Sequence, residues 1–229
     1  MDIMHVFFEG IARQNLGALC YVICNKWGSS PFDIVHRLAD YAKEKGIPQS
    51  EFSRVNTSRA KHLAEGQEGK LPSGECSFPG TAMQIAKVIL HVDGIFGPLL
   101  NAEQKEHPVW QMALLTCRIS RLLWQRSFTT ANILELDKCI WLHDSIMLGT
   151  PLLQHLWKPK NHYLSHVPLE ILWWGPPRNY WCIPFEHENQ LIKGGATHSN
   201  FSNVLWSCAD EKALGVALEA YKRGYRGEF

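Results

Sequence analysis

Apolar positions recur at three- and four-residue steps through most of the chain, the spacing that lines one face of a helix. Val6, Phe7, Ile11, Leu16, Leu19, Val22 and Ile23 form the first such run and predict a helix over residues 2–27, weakened by Gly10 and Gly17. Gly28-Ser-Ser-Pro31 ends it and caps a second helix, Phe32 to Lys45, which Gly46-Ile-Pro closes. Further helices are predicted over residues 81–92, broken by Gly94 to Pro98, over 107–124 with Pro108 in its first turn, and over 129–148 with Thr129 or Thr130 as cap. Gly149-Thr-Pro151 stops the last of these, and residues 152–164 are helical by pattern despite Pro159. Beyond that the pattern becomes irregular through Gly175-Pro-Pro177 and Pro184. Helices then restart over 185–193 and, rich in Ala and Leu, over 210–222. No run alternates apolar and polar for long enough to predict a strand, and no repeat is visible.

The expected class is therefore mainly α. Residues 67–80, rich in Gly, Pro and Ser, are expected to form a loop inside a mostly helical first domain, 1–157, followed by a second segment, 158–229.

Composition narrows the function classes. With 45% hydrophobic and 20% charged residues the chain has the balance of an ordinary globular protein. Its formal net charge of +1 excludes a generally basic nucleic-acid coat, though not a local basic groove. Lys222, Arg223 and Arg226 have the look of a solvated basic end. Eight of nine Trp follow residue 109, which places the denser core in the second half. The seven Cys are scattered without a C-x-x-C pair, and Cys20 and Cys24 sit one helical turn apart on an apolar face. That usage fits reduced core thiols in an intracellular protein. Asp2, His5 and Glu9 interrupt the only early apolar run, and no stretch approaches the roughly 20 apolar residues that span a bilayer. A nuclear or cytoplasmic protein, neither secreted nor membrane-bound, is the expectation.

Two short stretches carry candidate chemistry. Asp2 and His5 are three apart; His162 and His166 are four apart. Either spacing puts both side chains on one face of a helical turn, and together they offer three imidazoles and a carboxylate, a donor set for tetrahedral Zn²⁺. The plainer uses are an N-cap for Asp2 and ordinary surface or core positions for the histidines. Glu186 follows Tyr180, Trp181, Ile183 and Phe185, so it is a candidate catalytic metal ligand or general base beside aromatic walls. Alternatively, Glu186 and Glu188 form an acidic first helical turn. One carboxylate cannot hold a catalytic Mg²⁺ by itself, and nothing in the sequence places Glu135, Asp137 or Asp144 near it. No phosphate-binding Gly loop and no G-x-S-x-G elbow is present. The His143-Asp144 dipeptide is read as helix surface. Trp173, Trp174 and Trp181 could stack on bases and are read as core packing.

DIMHVFFEG at residues 2–10, a long helical stretch, then KPKNHYLSHVP and GPPRNYWCIPFEHENQ resemble the C-terminal half of eukaryotic DDE/D transposases of the CACTA-like group, relatives of the Transib elements and of the catalytic subunit of the V(D)J recombinase. The resemblance implies a helical insertion domain followed by the C-terminal remnant of an RNase H-like core. Its late His pair falls on His162 and His166, its C/D-x2-H element on Asp2 and His5, and its final catalytic glutamate on Glu186. It also implies structural zinc, DNA as partner, and Mg²⁺ or Mn²⁺ only in an intact family member. The family's first two catalytic aspartates precede the element at Asp2, where this chain has only Met1. A transposase-derived fragment is thus expected: a degenerate copy, a truncated gene model or a domesticated remnant. It would not cut or join DNA alone, and its partner could be the missing N-terminal part of a transposase. A helical module that binds DNA or protein without catalysis is the second possibility, and a small metal-dependent hydrolase the third.

Overall fold

The computed structural model describes residues 2–52, 55 and 77–182. Among these, 75% are helical and none lies in a strand, so the chain is mainly α. Its contacts divide after Trp181, and the helices below all belong to the unit Met1–Trp181. The helices predicted over 185–193 and 210–222, the basic tail, most of the 67–80 loop and Glu186 lie outside the described residues.

The chain opens with α1 (Met4–Ala12), wound as a π-helix, which runs directly into α2 (Arg13–Asn25). Every residue from Asn15 to Ile23 is buried. A helix that is apolar all round has neighbours all round. Next comes α3 (Pro31–Lys45), the best specified of the early helices. Ser30 accepts from the Phe32 N–H, Asp33 reaches back to the Ser30 N–H, Pro31 stands in the first turn, and Gly46 closes the end at φ 64°.

A reciprocal Thr81–Gln84 cap starts α4 (Ala82–Leu90), and α5 (Val92–Phe96) follows through His91. Gly94 was expected to break the helix but lies inside α5. A Cβ there would stand 2.6 Å from the Tyr41 ring, so the glycine makes room for α3, and packing overrides local propensity. After the short α6 (Ala102–Lys105) comes α7 (Pro108–Leu123), with Pro108 in its first turn and His107 as cap. Thr129 caps α8 (Thr130–Gly149), as the sequence predicts.

The single helix expected over 152–164 is divided. Pro159 has no N–H to give, so a short 3₁₀ turn at Gln154–Leu156 ends before it and α9 (Pro159–Leu164) begins on it. A further helix, α10 (Val167–Trp174), occupies a stretch whose prolines predict irregular chain.

α7 lies along α8, and α1 and α2 pack on α4 and α7, with α9 against α1 and α10 against α8. Phe7, Phe8, Ile11, Leu16, Leu19 and Ile23 are fully buried, so the first two helices form the spine of the core. The tryptophans do not follow the expectation of a denser second half. Trp110 and Trp181 are buried, but Trp141, Trp173 and Trp174 are 67–72% exposed.

Candidate metal centre

α1 and α9 are joined by one long-range polar bond. The Lys160 ammonium donates to the carbonyl of His5 at 2.9 Å. The approach depends on Gly10: a Cβ at that position would come within 2.5 Å of Lys160 Cδ. The opening turn of the chain and the segment holding the late histidines are therefore neighbours.

On the α1 side, Asp2 serves two groups. One carboxylate oxygen accepts from the Met4 N–H at 3.2 Å, the capping use open to an aspartate there, and the other lies against His5 Nδ1. His5 presents Nε2 to Glu9 Oε2 at 3.8 Å, and its side chain is half exposed. The order Asp2, His5, Glu9 thus forms a polar strip along one face of the first turns. Glu9, the third member, was not singled out in the sequence, although its four-residue spacing from His5 was the available signal.

On the other side, His162 stands in α9 and His166 at the junction with α10. Their Nε2 atoms are 3.3 Å apart and the rings are nearly perpendicular, at 86°. Two imidazoles on a tetrahedral Zn²⁺, with Zn–N of about 2.0–2.1 Å, place their nitrogens at about this same separation. A direct N–H···N hydrogen bond between the rings gives the same distance, so the pair suits either a metal or a shared proton.

Each pair is thus assembled within itself. Among the described residues, neither His162 nor His166 brings its ligand nitrogen into a set of three donors, within 4.8 Å of one another, with Asp2 or His5. The donor chemistry of the two halves fits zinc. A shared ion would require side-chain rotation across a seam whose backbones are already adjacent. Glu186 lies outside the described residues.

A second polar constellation lies in the core, where the sequence reading put helix surface. His143 is fully buried, not exposed: it belongs to the α8 stripe Leu136, Cys139, Ile140, His143, Met147 that faces the bundle. Asn15 Nδ2 donates to Thr116 Oγ1 at 2.9 Å and to His143 Nε2 at 2.7 Å, and Thr116 donates to the Met112 carbonyl. His143 Nδ1 faces Asp144 Oδ1 at 3.2 Å. The three- and four-residue spacing of His143 from its apolar neighbours was the signal that could have found it.

No known family, curated protein or solved structure matches the chain. Among the described residues, no helix is long and apolar enough to cross a membrane.

Proposed function

We propose that the chain is a transposase-derived helical module, an insertion domain plus the end of an RNase H-like core, that binds DNA but does not cut it alone. In this reading a structural zinc ion ties Asp2 and His5 to His162 and His166. The observation that carries it is the α1–α9 seam, where the Lys160–His5 bond sets the two halves of the proposed ligand set side by side. The 3.3 Å separation of the His162 and His166 nitrogens is compatible with zinc, as it is with a shared proton. Zinc held this way would contribute to folding free energy directly.

Two-metal phosphodiester cleavage needs several carboxylates to hold both ions. In this reading Glu186 is one such carboxylate, and by itself it cannot hold a catalytic Mg²⁺ or Mn²⁺.

The test has three arms on the purified full chain. Elemental analysis after zinc reconstitution should give one equivalent, and His162→Ala should lose it together with thermal stability. Duplex DNA should bind with an affinity that falls as salt rises. Incubation with Mg²⁺ or Mn²⁺ should leave that duplex intact. Retained zinc in His162→Ala removes the ligand assignment, and absence of duplex binding removes the DNA reading. Cleavage that disappears in Glu186→Gln would replace both with a small metal-dependent hydrolase.

A further inference from the structure

Beside the Lys160–His5 bond lies a cavity of about 230 Å³ that the metal reading does not use. Among the described residues, Arg13, Lys158 and Lys160 line it together with Gln14 and Ser77, and Glu9 supplies a negative charge. Among the described lining residues, cations outnumber carboxylates three to one in one concave site. Field lines from like charges in a concave, low-dielectric wall add up and draw counter-ions in.

Arg13 is fixed in place from both ends. Its carbonyl accepts from the Phe78 N–H at 3.0 Å, and its Nη2 donates to the carbonyl of Gly80. What remains is an anomaly: Arg13 Nε is buried and has no hydrogen-bond partner among the described residues. A buried cationic N–H without an acceptor is costly, and an oxyanion that draws the guanidinium toward the cavity would relieve that cost. Lys160 crosses α1 at Gly10, where the missing Cβ leaves its ammonium at the cavity wall.

We infer that this cavity is a binding site for a phosphate-class oxyanion. The donor set selects the class. A guanidinium and two ammonium groups, with an amide and a hydroxyl also in the lining, offer more donors than the two coplanar oxygens of a carboxylate take up, and the three or four oxygens of a tetrahedral anion use them more fully. The anion can be carried by a small phosphorylated molecule or by a nucleic-acid backbone. This inference goes beyond the zinc-and-DNA reading and does not depend on it, since no metal takes part and the anion need not belong to DNA.

The Arg13 side chain provides its own probe. In ¹⁵N-labelled full chain, with a chelator present to exclude metal, the Arg13 Nε–H signal, assigned through Arg13→Lys, should move and saturate on titration with inorganic phosphate. Lys158→Gln, a change at an exposed position, should keep the native far-ultraviolet circular dichroism and weaken the binding by about tenfold or more. A signal that does not move, one that drifts linearly without saturating, or unchanged affinity in a folded Lys158→Gln chain overturns the site. Adding duplex DNA to the phosphate-saturated protein then identifies the source. Displacement of phosphate upholds the site as one for backbone phosphates, and saturable phosphate that duplex leaves in place upholds it as one for small phosphorylated molecules. Duplex binding without any phosphate saturation would sink this site while leaving the DNA reading standing.

Discussion

Asn15 and His143 meet inside the helical bundle, the amide Nδ2 of one 2.7 Å from the imidazole Nε2 of the other, across 128 positions of sequence. The donating amide makes Nε2 the acceptor, which puts the ring proton on Nδ1, facing Asp144. Thr116 takes the second amide hydrogen and passes its own to Met112. Removing the amide leaves both His143 Nε2 and Thr116 Oγ1 short of a donor inside the core. Asn15→Ala should therefore cost about 2–4 kcal/mol, read from urea unfolding. The cost should be non-additive with that of His143→Leu, because the two share one hydrogen bond.

Acid should destabilise the fold through two partly covered histidines that the fold favours in their neutral form. Burial lowers the pKa of His91, with Arg121 and Lys45 adding to it, and burial followed by Lys26 lowers that of His107. His107 Nδ1 accepts from the Val109 N–H at 3.2 Å, and His91 Nδ1 shares a hydrogen bond with the Tyr41 hydroxyl at 2.9 Å. In each case the unfolded chain takes up a proton before the folded one does. Their contribution is whole above the ordinary histidine value and declines as pH falls through about 6.5. Glu44, held low by its hydrogen bond to Arg37, titrates further into acid and does not enter this window. Melting followed by circular dichroism should show Tm falling between about pH 7.5 and about pH 5.5, with a smaller fall in His91→Gln.

Gly10 should behave unlike an ordinary helical glycine. Replacing glycine by alanine in a helix usually stabilises by about 0.5–1 kcal/mol. Here the new methyl would overlap Lys160 Cδ and lie 3.2 Å from the His5 carbonyl oxygen. Gly10→Ala should therefore yield no gain in the native chain but recover it in a Lys160→Ala background. Equal effects in the two backgrounds would mean that the α1–α9 contact is not made in solution.

Cys24 should be a slow thiol. Burial first, and then the nearby Asp33 carboxylate, push its pKa up to about 11. Two units above an ordinary cysteine, the thiolate is about a hundredfold scarcer at neutral pH. Peptide mapping after brief alkylation should find Cys24 almost unlabelled in the folded chain and labelled at an ordinary rate in urea.

Helix caps were the most legible part of the fold. Ser30 with Pro31, Thr81 with Gln84, Pro108 and Thr129 each act within three residues of chain, and each stands where the sequence placed or allowed a helix start. What the sequence hid was non-local. Gly94 looks like a breaker until Tyr41 is seen against it, and His143 looks like surface until Asn15 and Thr116 arrive from two other helices. Trp173 and Trp174 count as core by their chemistry, but α10 meets only part of α8 and leaves them outside. At the candidate centre, the closeness within each pair, Asp2 with His5 and His162 with His166, was readable from their spacing, whereas the Lys160–His5 bond between α1 and α9 was not. Neither a lysine nor a backbone carbonyl carries a motif.

The docking of α1 also bears on how this protein is made. Its first helix carries Phe7, Phe8 and Ile11, all buried in the finished fold against parts of the chain that leave the ribosome later, α9 and Trp181 among them. At about 5–20 residues per second, the nascent chain holds these side chains uncovered for on the order of 10 s before Lys160 emerges. That interval gives a ribosome-associated chaperone its window, and slowing translation would lengthen the time in which the newborn chain can aggregate.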